Sequence, residues 1–274
     1  MIHSEIYHQL DTLFDIFEKS DGLIRPHFIL TGPSGSGKSY TIQELANKRD
    51  INLLEINAAQ LTKEGTSGNS LSKALSPIMM LPANQLTIVF VDEFDKLFIN
   101  GNMNSSLANE VTVGVQNEFL KVIESGRASV FGDYGKYVTV PTDKILFCFA
   151  GAFNGEKDIS LDRLREFGVK TEFLGRVGLL YQTEEISLQD IIKAMQESEL
   201  LKHYLELFDD VDRDTVEKAM CVELTKAYEN NTLGYRIITT LLHQYFIKGG
   251  FPENETKKIT FQTKLSINRQ RTGT

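Results

Sequence analysis

The segment Phe28-Ile29-Leu30-Thr31-Gly32-Pro33-Ser34-Gly35-Ser36-Gly37-Lys38-Ser39-Tyr40-Thr41-Ile42-Gln43-Glu44-Leu45-Ala46 runs from a short apolar strand through a glycine-rich turn into a helix. That context turns the pattern G-x-x-x-x-G-K-[ST] from a string match into a phosphate site. The turn Gly32, Pro33, Ser34, Gly35, Ser36, Gly37 lets successive backbone N–H groups converge on one point, and the following helix adds the positive end of its dipole. Lys38 is placed to reach the β- and γ-phosphates of a nucleoside triphosphate, and the Ser39 hydroxyl to ligate Mg²⁺, which prefers oxygen donors. At average residue usage the pattern arises by accident in about one chain in a hundred of this length.

Working outward, the next strong signal is Leu86-Thr87-Ile88-Val89-Phe90-Val91, an unbroken β-prone run of the kind buried on both faces of a parallel sheet. It ends in Asp92-Glu93. Two acids at the carboxyl end of a buried strand are costly unless a charge answers them. Mg²⁺ carried by ATP supplies that charge: Asp92 serves the metal through its water shell, and Glu93 orients or deprotonates the attacking water.

The remaining elements follow from periodicity. Ile6, Leu10, Leu13, Phe14 and Phe17 predict a leading helix over 6–17, ended by Asp21-Gly22. His27 to Leu30 is strand one, Tyr40 to Lys48 its helix and Asn52 to Ile56 strand two. A small-residue loop, Gly65-Thr66-Ser67-Gly68, precedes a short helical pattern of Leu71, Leu75 and Ile78. Leu97 to Glu110 reads as a polar loop, and Gly114 to Glu124 as a helix. Arg127–Val130 and Lys136–Val140 flank Gly132-Asp133-Tyr134-Gly135 as a hairpin. Ile145 to Phe149 is another buried strand and Leu179 to Gln182 a last one. Alternating strands and helices predict an α/β fold, a parallel sheet with ligands at the carboxyl ends of its strands. After Thr183 only helices are predicted, over 188–195, 199–208, 214–228 and 233–247, with Ser187 and Asp212 as N-caps. The expected domains are 1–183, a nucleotide-binding α/β domain; 184–250, a small helical lid; and 251–274, a tail holding Lys257, Lys258, Lys264, Arg269 and Arg271.

The formal net charge of −8 argues against general affinity for nucleic acid backbones. Cys148 and Cys221 both sit in apolar surroundings, which fits neither a disulfide framework nor a zinc site. Met1-Ile2-His3-Ser4-Glu5 lacks the basic start and apolar run of a signal peptide, and no apolar segment reaches membrane-spanning length. A cytoplasmic protein with no membrane partner is expected.

With these motifs in place, the chain from about Phe28 to Ile247 resembles AAA+ ATPases of the ClpX/HslU group. The resemblance rests on Ile88-Val89-Phe90-Val91-Asp92-Glu93-Phe94-Asp95-Lys96, on Lys144-Ile145-Leu146-Phe147-Cys148-Phe149-Ala150-Gly151-Ala152-Phe153, and on Glu172-Phe173-Leu174-Gly175-Arg176. The stretch from Leu200 to Phe208 is similar to a helix of that group's small domain. The resemblance implies an AAA+ large domain with a helical lid and ATP hydrolysis in a homo-oligomeric ring, a hexamer in the group's usual form. It implies that Arg176 is an arginine finger reaching the triphosphate held by a neighbouring subunit. It implies that Arg236, in Leu233-Gly234-Tyr235-Arg236, is a sensor arginine tying the lid to the nucleotide of its own chain.

Departures from the group narrow the function. The loop Lys63 to Asn69 carries Thr66 and Ser67 where ClpX-like unfoldases carry an aromatic–aliphatic grip on the substrate, so a grip is expected to be weak or to come from elsewhere, such as the loop 102–113 with Met103, Leu107 and Val111. The chain is short between Phe153 and Leu161, where protease-coupled relatives insert a peptidase-docking loop, so peptidase docking is not expected. No zinc-binding domain of the ClpX type is expected in this stretch. Strand four ends in Ala150-Gly151 where many relatives place a polar γ-phosphate sensor, leaving Asn154 as the candidate. The function expected is an ATP-driven remodeller or unfoldase of an unidentified protein partner. The alternatives are an ATP-gated ring scaffold that regulates an effector without threading, and a DNA-associated motor or loader using the basic tail.

Overall fold

A computed structural model describes residues 4–63, 68–82, 85–98, 106–184, 186–229 and 233–251, the side chains of 4, 106–110 and 133 aside. Its elements in chain order are α1 (Ser4–Lys19), β1 (Phe28–Thr31), α2 (Lys38–Lys48), β2 (Asn52–Asn57), α3 (Leu71–Ala74), β3 (Thr87–Asp92), α4 (Ser106–Ser125), β4 (Arg127–Phe131), β5 (Tyr137–Pro141) and β6 (Ile145–Gly151). There follow α5 (Leu161–Phe167), α6 (Thr171–Arg176), β7 (Leu179–Gln182), α7 (Leu188–Gln196), α8 (Glu199–Leu207), α9 (Arg213–Tyr228) and α10 (Arg236–Lys248). Two compact units result, one within 2–184 and one from 185 onward.

In the first unit five strands form a parallel sheet in the order β2-β3-β6-β1-β7. The three inner strands are the most apolar because both of their faces are covered. Side chains alternate across the sheet. Phe28, Leu30, Ile88, Phe90, Leu146 and Cys148 meet α1 and α2 through Leu10, Phe14, Phe17, Ile42 and Leu45. Ile29, Val89, Val91, Phe147 and Phe149 face the other way and pack with Val115 and Phe119 of α4 and Phe173 of α6. Phenylalanine fills that second layer: the Phe94 ring stacks on Phe173 at 5.4 Å and lies 4.9 Å from Phe149. β4 and β5 form a separate antiparallel pair.

The second unit is helical and has its own core, built from Ile191, Met195, Leu201, Val216, Met220, Leu224, Leu242 and Phe246. Two helices start on side-chain caps, as predicted. Ser187 Oγ accepts the N–H of Asp190 at 3.1 Å, and an Asp212 carboxylate oxygen accepts that of Thr215 at 3.0 Å.

Three expectations need correction. The stretch Leu97 to Glu110 is not all loop, because α4 starts at Ser106, eight residues before the predicted start; Val111 lies inside that helix, against the core. The substitute grip at 102–113 is therefore in part a helix, and Met103 lies outside the described residues, as do Thr66, Ser67 and the basic tail. Residues 161–176, unassigned in the sequence, form α5 and α6. Helix α10 begins at Arg236, not Leu233, because Gly234 adopts a left-handed φ of 58° and keeps the preceding turn out of the helix.

Candidate active site

All five strands of the sheet point the same way, and their carboxyl ends line up. Thr31 is in register with Gly151 and with Gln182, and Asn57 with Asp92. The phosphate loop leaves β1 at this edge. Asp92 ends β3, two strands away across β6, so their backbones stand about 10 Å apart. That separation suits a triphosphate and its metal.

The loop is shaped by its glycines at two points in particular. Gly37 has φ 85° and ψ 11°, a left-handed conformation that turns the loop into the first turn of α2. Gly32 has φ 136°, and a Cβ built on it would lie 1.9 Å from Thr183 Oγ1. Lys38 opens α2 and is buried; its ammonium donates to the carbonyl oxygens of Gly32 and Pro33, each at 2.7 Å, and lies 3.4 Å from Ser36 Oγ. Ser39 is half-buried on the first turn, while Ser34 is exposed on the loop. Lys38 and Ser39 thus sit where the loop's N–H groups and the helix dipole converge.

At the other side of the edge, Asp92 is half-buried and its Oδ1 accepts the N–H of Glu93 at 2.8 Å. Glu93 holds φ 54° and ψ 31°, a left-handed conformation uncommon for a residue with a side chain. Strain of this kind concentrates at functional positions. It leaves the Glu93 side chain exposed beyond the strand end. In the neighbouring strand, in register with Phe90, Cys148 is a free buried thiol whose pKa is pushed well up by burial and, secondarily, by the charge of Asp92.

Of the two predicted arginines, Arg176 stands apart from this cluster. Arg176 ends α6, and Leu179, three residues on, is in register with Phe28, at the far end of β1 from the phosphate loop. Its Nε donates to Glu124 Oε1 at 2.8 Å, and its side chain is 59% exposed. Arg236 is the exposed first residue of α10 in the helical unit. A cation at a helix N-terminus works against the macrodipole by roughly 0.3–1 kcal/mol, so helix stability does not account for it. Asn154 is exposed, with φ 59°, just beyond β6.

Three site residues escaped the sequence reading. Thr183, buried just past β7, has its hydroxyl 2.7 Å from Ser36 Oγ. Asp95 is a buried carboxylate that accepts the N–H of Phe153 at 3.3 Å and lies 3.6 Å from Lys96 Nζ; it grips the turn after β6 from beneath the acidic strand end. Gln182 accepts the N–H of Ile159 at 2.9 Å and donates to the carbonyl of Glu156 at 3.2 Å, holding that turn's continuation against β7. Only Asp95 left a local trace, as a third acid, three residues after Asp92. The other two contacts depend on strand register.

The family model "ATPase family associated with various cellular activities (AAA)" matches residues 28–173, the span from β1 to α6. The chain is 25% identical over 91% of its length, and 70% of the relative's, to the ATP-dependent Clp protease ATP-binding subunit ClpX of Treponema denticola. It is 24% identical over 96% of its length, and 72% of the relative's, to the ClpX subunit of Borrelia duttonii. For ClpX 2 of Wolinella succinogenes the figures are 26%, 87% and 68%.

Proposed function

This chain belongs to the AAA family of ATPases and is a ClpX-like member of it, an ATP-hydrolysing P-loop enzyme; from that premise we propose that it acts as a ring, using ATP hydrolysis to remodel or unfold a protein partner. The observation that carries the proposal is the single sheet edge that sets Lys38 and Ser39 on one side and Asp92 and Glu93 on the other, in a chain similar to ClpX subunits over nearly its whole length.

In this proposal residues 1–183 bind the nucleotide, 184–250 form the lid and 251–274 the tail. The Gly32–Gly37 loop and Lys38 hold the phosphates, and Arg236 reads the nucleotide from the lid. Ser39 and Asp92 are the hard oxygen donors for Mg²⁺, whose chemistry when bound is to neutralise charge on the phosphate oxygens. Both donors stand at the same sheet edge, so the residues fit that ion. Among the described residues no group of three or more His, Cys, Asp or Glu side chains could hold a metal, which fits an ion delivered with the nucleotide. Glu93, exposed just beyond β3, takes the proton of the attacking water. Arg176, remote from its own phosphate loop, acts on the site of the next subunit.

Partner remodelling is favoured over the scaffold reading by the similarity to ClpX, while the polar residues Thr66 and Ser67 favour the scaffold. No helix among the described residues is long and apolar enough to cross a membrane, which is compatible with a cytoplasmic ring. The decisive experiment compares Lys38→Ala and Glu93→Gln by nucleotide-binding titration and ATP turnover. Lys38→Ala should lose binding, and Glu93→Gln should bind ATP while turnover falls at least about a hundredfold, the scale of a lost general base. Normal turnover in Glu93→Gln removes the assignment.

A further inference from the structure

The geometry points to Thr183 as a positioning residue of the phosphate loop, acting through Ser36; the inference rests on the loop being the ATP site. Thr183 lies one residue past β7, and its N–H donates to Thr31 O at 2.8 Å, extending the β7–β1 pairing to the last residue before the loop. Its hydroxyl makes two contacts, Thr31 O at 3.2 Å and Ser36 Oγ at 2.7 Å. Thr183 and Ser36 are both buried, so neither hydroxyl is free to turn to solvent instead.

The proton arrangement follows from what each atom can do. The Thr31 carbonyl only accepts, so the Thr183 hydroxyl donates to it. Thr183 Oγ1 therefore accepts the proton of Ser36, whose own oxygen is left to accept from the Lys38 ammonium at 3.4 Å. A directed chain results, Lys38 to Ser36 to Thr183 to Thr31, and it closes the loop onto the strand that launches it. The same contact explains Gly32, whose missing side chain is the space Thr183 occupies. A buried chain of this kind gains from being complete and is costly with one member removed.

Because the loop meets the phosphates before and during the reaction, loosening it weakens both states together. That raises KM for ATP and spares kcat. Thr183→Val keeps the branched shape and removes the hydroxyl. In the full chain its KM should rise about tenfold with kcat within about twofold, and Thr183→Ser should restore KM to within about threefold of the parent. Ser36→Ala should likewise raise KM, and the double variant should fall short of the product of the two single effects, since the Ser36–Thr183 contact is lost in both. An unchanged KM in Thr183→Val overturns the inference. So do effects that multiply in the double variant, or a joint fall of kcat and thermal stability that Ser does not reverse. Should Thr183→Val not fold, Ser36→Ala decides by the same KM criterion. If Lys38→Ala binds ATP like the parent, the underlying ATP site itself fails; if Lys38→Ala is dead and Thr183→Val is normal, only Thr183 loses its role.

Discussion

At Gly32 there is no room for a methyl group: φ of 136° is strained for any L side chain, and the nearest atoms, the Thr183 hydroxyl and carbonyl, would lie 1.9 and 2.7 Å from a Cβ. Gly32→Ala should therefore displace Thr183 or the loop. Nucleotide binding should fall below detection in a titration while circular dichroism retains the parent spectrum; tight ATP binding by this variant would show that the loop tolerates the shift. His27 makes a different prediction. It is buried ahead of β1, accepts the N–H of Phe147 through Nδ1 at 3.0 Å, and packs edge-on against the Phe147 ring. Burial, helped by the Arg25 charge, pushes its pKa down to about 4. The unfolded chain thus takes up this proton first as pH falls below about 6.5, and stability drains away between there and about pH 4 by about 3 kcal/mol. Urea titrations at pH 7, 5.5 and 4.5 should show that loss in the parent and a flatter profile in His27→Gln, whatever its stability at pH 7; an equal slope in both would clear His27. Residues of the phosphate loop were legible in the sequence because their constraints are local, a turn and a helix start. Thr183 was not, since it meets Ser36 only after β7 has paired with β1 across some 150 residues.

Among the elements, the long apolar runs β3 and β6 were readable because burial on both faces leaves no other composition possible. Helices α5 and α6, at seven and six residues, were not. Segments so short are unstable alone and owe their helicity to packing. The buried Gln116 of α4 does part of that work: its Oε1 accepts the N–H of Lys170 at 2.9 Å, and its Nε2 donates to the carbonyl of Gly168 at 3.2 Å, fastening the turn between α5 and α6. Leaving those two backbone groups unpaired costs about 2–4 kcal/mol. Gln116→Leu should lower the urea midpoint accordingly. Since α6 ends in Arg176, it should also slow ATP turnover more than it weakens ATP binding; a change in binding alone would detach Arg176 from this turn. The start of α4 was missed for the opposite reason, because Ser106-Leu107-Ala108-Asn109-Glu110 has helix-compatible residues but no apolar periodicity to announce them.

For the whole molecule, the sheet order β2-β3-β6-β1-β7 decides which residues can cooperate within one chain. It gathers the ends of β1 and β3 on one edge and leaves Arg176 by the start of β7, at the opposite end of the sheet from the loop. The sequence pointed to a parallel sheet but not to this order, which no local pattern encodes. On the proposed reading, an arginine so placed, paired meanwhile with Glu124, would serve catalysis across a boundary between copies, head to tail. Arg176→Ala and Glu93→Gln should then each be nearly inactive alone and recover on mixing. Where an Arg176→Ala subunit supplies the loop and Glu93, and a Glu93→Gln neighbour supplies the arginine, the composite site is complete. Random assembly of equal amounts makes about one junction in four complete, so turnover should return to about a quarter of the parent rate. Sedimentation with ATP and magnesium should show one assembled species in the mixture. Arginine acting within its own chain predicts no recovery at any ratio, because every site would still lack one of its two parts.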